Sequence, residues 1–394
     1  MISKAESKIL LVHYMPWFAS RSVSGHWGWH WTMDRYDPDK TEKGKPQIAS
    51  HFHPLMGAYD SQDRHTLECH VQLMKLAGID GVIIDWYGVS SFRDYGEIHR
   101  NTKLLVDVIQ KAKMKFAICY EDQTLKHRVA AKQIAQNDLF SESKKDLDWL
   151  ENNWFKSPAY VKNQGKPVLL VFGPQRLEKE HWSRLQSNLS SKPVLLGLPH
   201  LSQAAGFEGT FGWPPVHGGK QIVEQKWKKY VLDLYARQQK EVVVSIAFSG
   251  FQDYYRQAGV GDSYGQIAFN QGKTFQVTLD LALRSRSKIV QIATWNDFGE
   301  GTNIEPAWEY GYQYLETLQA RTGMSKRFGV ADLKLPIALY HLRKRTLENS
   351  SQQADLDQMS NELLQGKVAS IHQRISRLNF EINQSQKKLQ KAIN

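Results

Sequence analysis

The stretch Ile289-Val-Gln-Ile-Ala-Thr-Trp-Asn-Asp-Phe-Gly-Glu-Gly-Thr-Asn-Ile-Glu-Pro306 decides the fold. Its first half is apolar and β-branched, as in a strand buried on both faces of a parallel sheet. Its second half is a glycine-flanked turn carrying Trp295, Asn296, Asp297, Glu300 and Glu305. Two carboxylates just past the C-terminal end of a buried strand sit where α/β enzymes keep their chemistry.

Seven similar runs precede it: Ile9–Tyr14, Gly81–Trp86, Phe116–Glu121, Val168–Phe172, Val194–Leu198, Gly209–Trp213 and Val242–Phe248. Amphipathic segments lie between most of them, among them His65–Leu76, Asn101–Ala112, Gln221–Gln239 and Lys273–Arg286. Eight strands with helical crossovers predict an α/β chain folded as a (β/α)8 TIM barrel. An open doubly wound sheet would carry a glycine-rich phosphate loop after its first strand. Here the first strand runs into His13-Tyr-Met-Pro-Trp17. The loop from Met15 to Pro54 holds Trp17, His26, Trp27, Trp29, His30, Trp31, His51 and His53, too aromatic for disorder, and is expected to fold over the barrel mouth.

The expected division is a catalytic barrel over 1–335 and a helical extension over 336–394. In the extension Leu364, Val368, Ile371, Ile375, Leu378 and Ile382 follow a heptad spacing, with Leu389 again in phase. Such a seam fits a coiled coil through which the chain self-associates, or a helix packed on the barrel's own flank.

Composition excludes several classes. The chain is 41% hydrophobic and 23% charged, so it is globular. Its net charge of +11 is spread along the chain without a nucleic-acid motif, so no nucleic-acid partner is expected. Two cysteines, Cys69 and Cys119, are too few for a disulfide framework. No apolar run reaches the roughly 20 residues of a membrane span. The polar start carries no signal sequence, so the expected compartment is cytoplasmic, or periplasmic or secreted if a signal has been removed.

In a barrel, strand C-termini and the loops after them face one shared mouth. That rule gathers His13, Tyr14 and Trp17 from the first strand, Asp85, Trp86 and Tyr87 from the second, and Tyr120, Glu121 and Asp122 from the third. It adds Trp213 from the sixth, Ser249, Phe251 and Asp253 from the seventh, and the Trp295–Glu300 turn from the eighth. Carboxylates among aromatics, with no serine or cysteine elbow, fit acid/base chemistry on a sugar. One protonated carboxyl donates to the leaving oxygen, and an ionised one acts at the other side of the reacting carbon. Asp297, Glu300 and Glu121 are the catalytic candidates. Tyr14, Trp17, His53, Asp85, Trp86, Tyr87, Trp213, Asp253, Trp295 and Asn296 are the substrate-binding candidates. Glu121 is expected to be perturbed by like charge from Asp122. Glu305 reads as structural, at a helix N-terminus. The histidine pairs 26/30 and 51/53 permit a metal, but no HExxH occurs.

At these residues the chain resembles the glycoside hydrolase family 99 and family 71 group, endo-α-1,2-mannosidases and α-1,3-glucanases. The resembling segments are His13–Trp17, His53–Ser61, Gly78–Gly88, Lys115–Glu121 and Trp295–Pro306. The resemblance implies a (β/α)8 fold, no metal or cofactor, an oligo- or polysaccharide substrate and endo action on α-linked mannose or glucose. It makes Glu300 the general acid and Asp297 the base, which in family 99 deprotonates the sugar 2-hydroxyl to give a 1,2-anhydro intermediate and net retention. Glu121 would contact substrate. Family 99 carries Glu where this chain has Asp297, and the Trp-Asn-Asp form is closer to family 71, which keeps inversion open. Phe251 replaces a family tyrosine. Glycosyltransferase-like proteins of polysaccharide biosynthesis carry similar segments, so a cytoplasmic transferase-like protein or a non-catalytic glycan binder is the alternative.

Overall fold

The structure, a computed structural model, describes residues 8–346 and 350–381. Eight parallel strands form a closed barrel: β1 (Ile9–Tyr14), β2 (Gly81–Trp86), β3 (Lys115–Tyr120), β4 (Lys166–Val171), β5 (Val194–Gly197), β6 (Gly209–Phe211), β7 (Val242–Phe248) and β8 (Ile289–Ala293). Each pairs with its sequence neighbours, and β8 returns to β1 with Ile9 opposite Ile289 and Val12 opposite Ile292. Five expected strands end one or two residues early, those ending at Glu121, Phe172, Leu198, Trp213 and Trp295. Glu121, Trp213 and Trp295 therefore lie in loops.

Strand alternation builds two cores from one sheet. Leu11, Ile83, Ala117, Cys119, Leu170, Leu196 and Phe211 fill the barrel interior. Leu10, Val12, Val82, Ile84, Ile118, Leu169 and Ile292 face outward, under the helices. Those helices are α1 (Arg64–Ala77), α2 (Tyr95–Lys111), α3 (Leu139–Leu150), α4 (Lys179–Asn188), α5 (Glu224–Ala236), α6 (Lys273–Arg284) and α7 (Gln313–Thr322). The β5–β6 link is built of turns rather than a helix. Among the described residues no helix is long and apolar enough to cross a membrane.

The long β1 loop folds into two short helical turns, Arg21–Ser24 and Trp29–Thr32, and a small hairpin. Trp31 is its anchor: fully buried against Phe18 and Tyr59, its indole N–H donates to the Tyr59 carbonyl at 2.8 Å.

The heptad seam is not one helix. α8 (Leu335–Arg345) is followed by α9 (Ser350–Leu364), and the chain then turns at Gly366, φ +72°, before a helix over 371–381. Ile371, Ile375 and Leu378 pack on Leu335, Leu339, Leu342, Leu356 and Met359, so these seam positions are consumed within the chain. Ile382 and Leu389 lie outside the described residues. The extension is tied to α1 by a buried ion pair: Glu68 accepts from Arg343 at 2.6 Å and from the Ser360 hydroxyl at 2.5 Å.

Candidate active site

A cavity of about 1630 Å³ opens at the C-terminal ends of the strands. Trp17, Asp85, Tyr87, Glu121, Trp213, Asp297 and Glu300 line it, joined by His13, Trp27, His30, Phe251, Tyr255 and Tyr264. The eighth-strand turn supplies the central pair. The Glu300 backbone N–H donates to Asp297 Oδ1 at 2.9 Å, and the Asp297 N–H donates to the Thr294 hydroxyl at 2.9 Å. The turn is then pinned to the loop after β7: Gln252 N–H donates to the Glu300 carbonyl at 3.0 Å and Tyr254 N–H to the Gly299 carbonyl at 2.9 Å. Gly301 makes this approach possible. Its φ is +66°, and a Cβ there would sit 2.7 Å from the Gln252 carbonyl oxygen.

Four of the carboxyls lining the cavity, Asp85, Glu121, Asp297 and Glu300, are fully desolvated, and burial raises the proton affinity of each. Asp297 is pushed up to about 7 by desolvation, against backbone N–H donors from Glu300 and Gly299 that favour the anion. Glu300 goes well above the ordinary range, by desolvation and then by the charges of Asp297 and Asp253, although the Trp213 indole donates to it. Asp85 is likewise raised by desolvation and then by Glu121, Asp297 and Glu300. Glu121 rises to about 8. Its main cause is desolvation; Asp122 contributes least, because that side chain turns away to accept N–H groups from Gln175, Arg176 and Leu177 at 2.7, 2.9 and 2.8 Å.

Several lining residues hold polar atoms that are enclosed yet have no hydrogen-bond partner: Trp17 Nε1, Trp27 Nε1, His13 Nε2, Asp85 Oδ1 and Glu300 Oε2. Unpaired buried polar atoms are costly. Clustered around one cavity, donors and acceptors of this kind match the hydroxyls of a sugar. Trp17 itself is held by a parallel stack on His30, centroids 3.9 Å apart.

Six of the proposed substrate contacts lie behind the cavity wall. Tyr14 and Trp86 alternate with His13 and Asp85, so they face the helices: the Tyr14 hydroxyl meets His70 Nδ1 at 2.9 Å, and the Trp86 indole donates to His99 at 3.1 Å. Trp295 is fully buried against His70. Asn296 is a clamp rather than a contact: its Oδ1 accepts from Met15 N–H at 2.8 Å and its Nδ2 donates to the Met15 carbonyl at 2.9 Å. Asp253 holds the β7 loop by accepting from Tyr264 N–H at 2.7 Å and from Ser263. His53 is on the outer side of the β1 loop, paired to Glu309 at 2.9 Å. Glu305 is structural, but no helix starts there: it is buried, accepting the Tyr59 hydroxyl at 2.8 Å beside His70 at 3.3 Å.

The expected histidine pairs do not converge. His26 faces Glu97, His30 faces Asp94, His51 reaches the Asp253 carbonyl and His53 takes Glu309. A different trio, His13, Asp85 and Cys119, brings its donor atoms within 4.8 Å of one another at the barrel interior. Tyr264, Tyr255, Gln123 and Gln291 were not singled out from sequence. Gln123 donates to Glu121 at 2.6 Å, and Gln291 faces His13 Nδ1 at 3.5 Å. Gln291 did leave a signal, a lone polar residue in the middle of an apolar strand.

A (β/α)8 barrel whose mouth gathers paired, desolvated carboxyls among indole rings is a glycosidase scaffold. This chain is a glycosidase with similarity to glycoside hydrolase family 99. The family model described as Glycosyl hydrolase family 99 matches residues 6–195. The glycoprotein endo-alpha-1,2-mannosidase of Rattus norvegicus is 22% identical over 327 residues, 75% of this chain and 67% of that protein. A Homo sapiens glycoprotein endo-alpha-1,2-mannosidase-like protein is 23% identical over 326 residues, with the same two shares. In structure, the GH99 endo-alpha-mannosidase of Bacteroides thetaiotaomicron superposes with a TM-score of 0.60 at 18% identity, covering 83% of this chain and 98% of that one.

Proposed function

We propose that the chain hydrolyses α-linked mannosides within oligo- or polysaccharide chains. Asp297 is the base and Glu300 the acid. The carrying observation is the Asp297–Glu300 turn: two desolvated carboxyls three residues apart, joined through a backbone N–H, with backbone donors favouring the Asp297 anion and neighbouring charges opposing the Glu300 anion. Such an environment separates the two proton affinities and so assigns the roles. Ionised Asp297 removes the proton of the sugar 2-hydroxyl. The freed oxygen attacks C1 while the glycosidic C–O bond breaks, and Glu300 gives its proton to the leaving oxygen. Glu300, now ionised, deprotonates a water that opens the 1,2-anhydro sugar at C1, and Asp297 returns its proton to O2. Two displacements at C1 give net retention. If Asp297 activates water directly, one displacement gives inversion.

Glu121, carrying its proton at neutral pH, donates to a sugar hydroxyl while Gln123 orients it. Asp85, Tyr87, Trp17 and Trp213 complete the floor and walls. The mannose preference rests on the relatives named above. No feature of the site favours a sugar-nucleotide donor.

NMR of the products from a panel of α-mannans and α-glucans tests the reading. Mannan cleavage that is lost in Asp297→Asn and in Glu300→Gln supports it. Turnover of α-glucans alone, or full activity in either variant, overturns it.

A further inference from the structure

The barrel order β7–β8–β1 places the Asp297–Glu300 turn between two loops, and each carries an exposed aromatic ring into the cavity. Trp29, in the β1 loop, is 38% exposed; Tyr264, in the loop after β7, is 54% exposed. Neither ring is on a free-hanging segment. Trp29 meets His30 edge-on at 5.1 Å, and His30 is stacked on Trp17. Tyr264 meets Tyr255 edge-on at 5.5 Å, its N–H is held by buried Asp253, and its carbonyl accepts from Gly219 at 3.1 Å. The charge of Glu300 is felt at the Tyr264 hydroxyl, so the ring belongs to the acid's side of the cavity.

We infer that Trp29 and Tyr264 are outer sugar-stacking platforms flanking the reacting bond, so that the site grips a carbohydrate chain on both sides of the acid pair. The inference rests on the glycosidase reading. Large rings held rigidly and left exposed suit the C–H face of a pyranose, since they lose little conformational freedom on binding. Trp308 provides the contrast. It is 45% exposed but stacks on His53 outside the cavity.

The test compares kcat/KM on a short and a long α-linked manno-oligosaccharide for wild type, Trp29→Ala, Tyr264→Ala and Trp308→Ala. The long-over-short preference should fall by about three- to tenfold in each of the first two and stay at the wild-type value in Trp308→Ala. Trp29→Tyr and Tyr264→Trp should restore most of it. An unchanged preference in both alanine variants overturns the platforms. If wild type hydrolyses none of these sugars, the proposed function falls, and calorimetric titration of the same oligosaccharides decides the platforms separately. Weaker binding in the two alanine variants supports them; equal binding, or no binding by wild type, overturns them.

Discussion

The backbone N–H of Glu300 donates to Oδ1 of Asp297 at 2.9 Å. One member of the acid pair thus stabilises the anion of the other, while the Glu300 anion is favoured by the Trp213 indole and opposed by the charges of Asp297, Asp253 and Glu121. Asp297 therefore ionises first, near 7, while Glu300 holds its proton well beyond. Hydrolysis should rise with pH through about 7, as Asp297 loses its proton, and fall above about 8, as first Glu121 and then Glu300 lose theirs. A pH profile of kcat/KM checks this. A rate already at its plateau at pH about 5, near the ordinary range of an aspartate, would show that Asp297 is not the base.

Glu121 links the site to stability. Its carboxyl ionises near 4.5 in an exposed chain and near 8 in the folded one. Between those values the folded protein holds a proton that the unfolded chain has released. Stability is therefore full below about 4.5 and declines as pH rises toward 8. Glu121→Gln removes this dependence and should raise stability at pH about 8 by roughly 2–4 kcal/mol. Thermal melts of both proteins across that range should diverge with increasing pH. Parallel curves would contradict the assignment.

Asn296 joins the loops after the first and last strands through both Met15 backbone groups, beside the Trp295 N–H that donates to the His13 carbonyl at 2.6 Å. Asn296→Ala leaves a buried N–H and a buried carbonyl unpaired, at a cost of about 1–3 kcal/mol each. It also frees the residue next to Asp297. Activity should drop by about 100-fold through kcat, the scale of a ~1 Å misplacement, with KM changed much less. A loss confined to KM would instead place Asn296 in contact with substrate.

The barrel was legible because its strands are short apolar runs punctuated by amphipathic helices, a pattern that survives in one sequence. The acid pair was legible because glycines and carboxylates follow such a run directly. What misled was the treatment of strand ends as uniformly facing the mouth. Alternation sends Asp85 inward and Trp86 outward one residue later, and His13 inward before Tyr14 outward. Tyr264 was hidden for another reason: it sits eleven residues past Asp253, in a loop whose path is set by that aspartate's hydrogen bond. The heptad seam is interrupted at Gly366, where a left-handed backbone folds its positions back onto the chain, as the second of its two readings allowed.

Asp297, with Phe251, is one of the two positions at which the resemblance to family 99 breaks, since that family is expected to carry Glu there. The shorter side chain is matched to its surroundings: Oδ1 is within reach of the Glu300 N–H only because the carboxyl stays close to the backbone. Asp297→Glu would advance the carboxyl into the cavity by about a bond length and give up that N–H. If the substrate sits at the depth set by Asp297, kcat/KM should fall by about 100-fold, with the acidic limb of the pH profile moving because the stabilising N–H is lost. If the bound sugar instead sits where the family's longer side chain would meet it, Asp297→Glu will be more active than wild type. Measuring kcat/KM on the same α-mannan for both proteins separates a shifted substrate from an unshifted one.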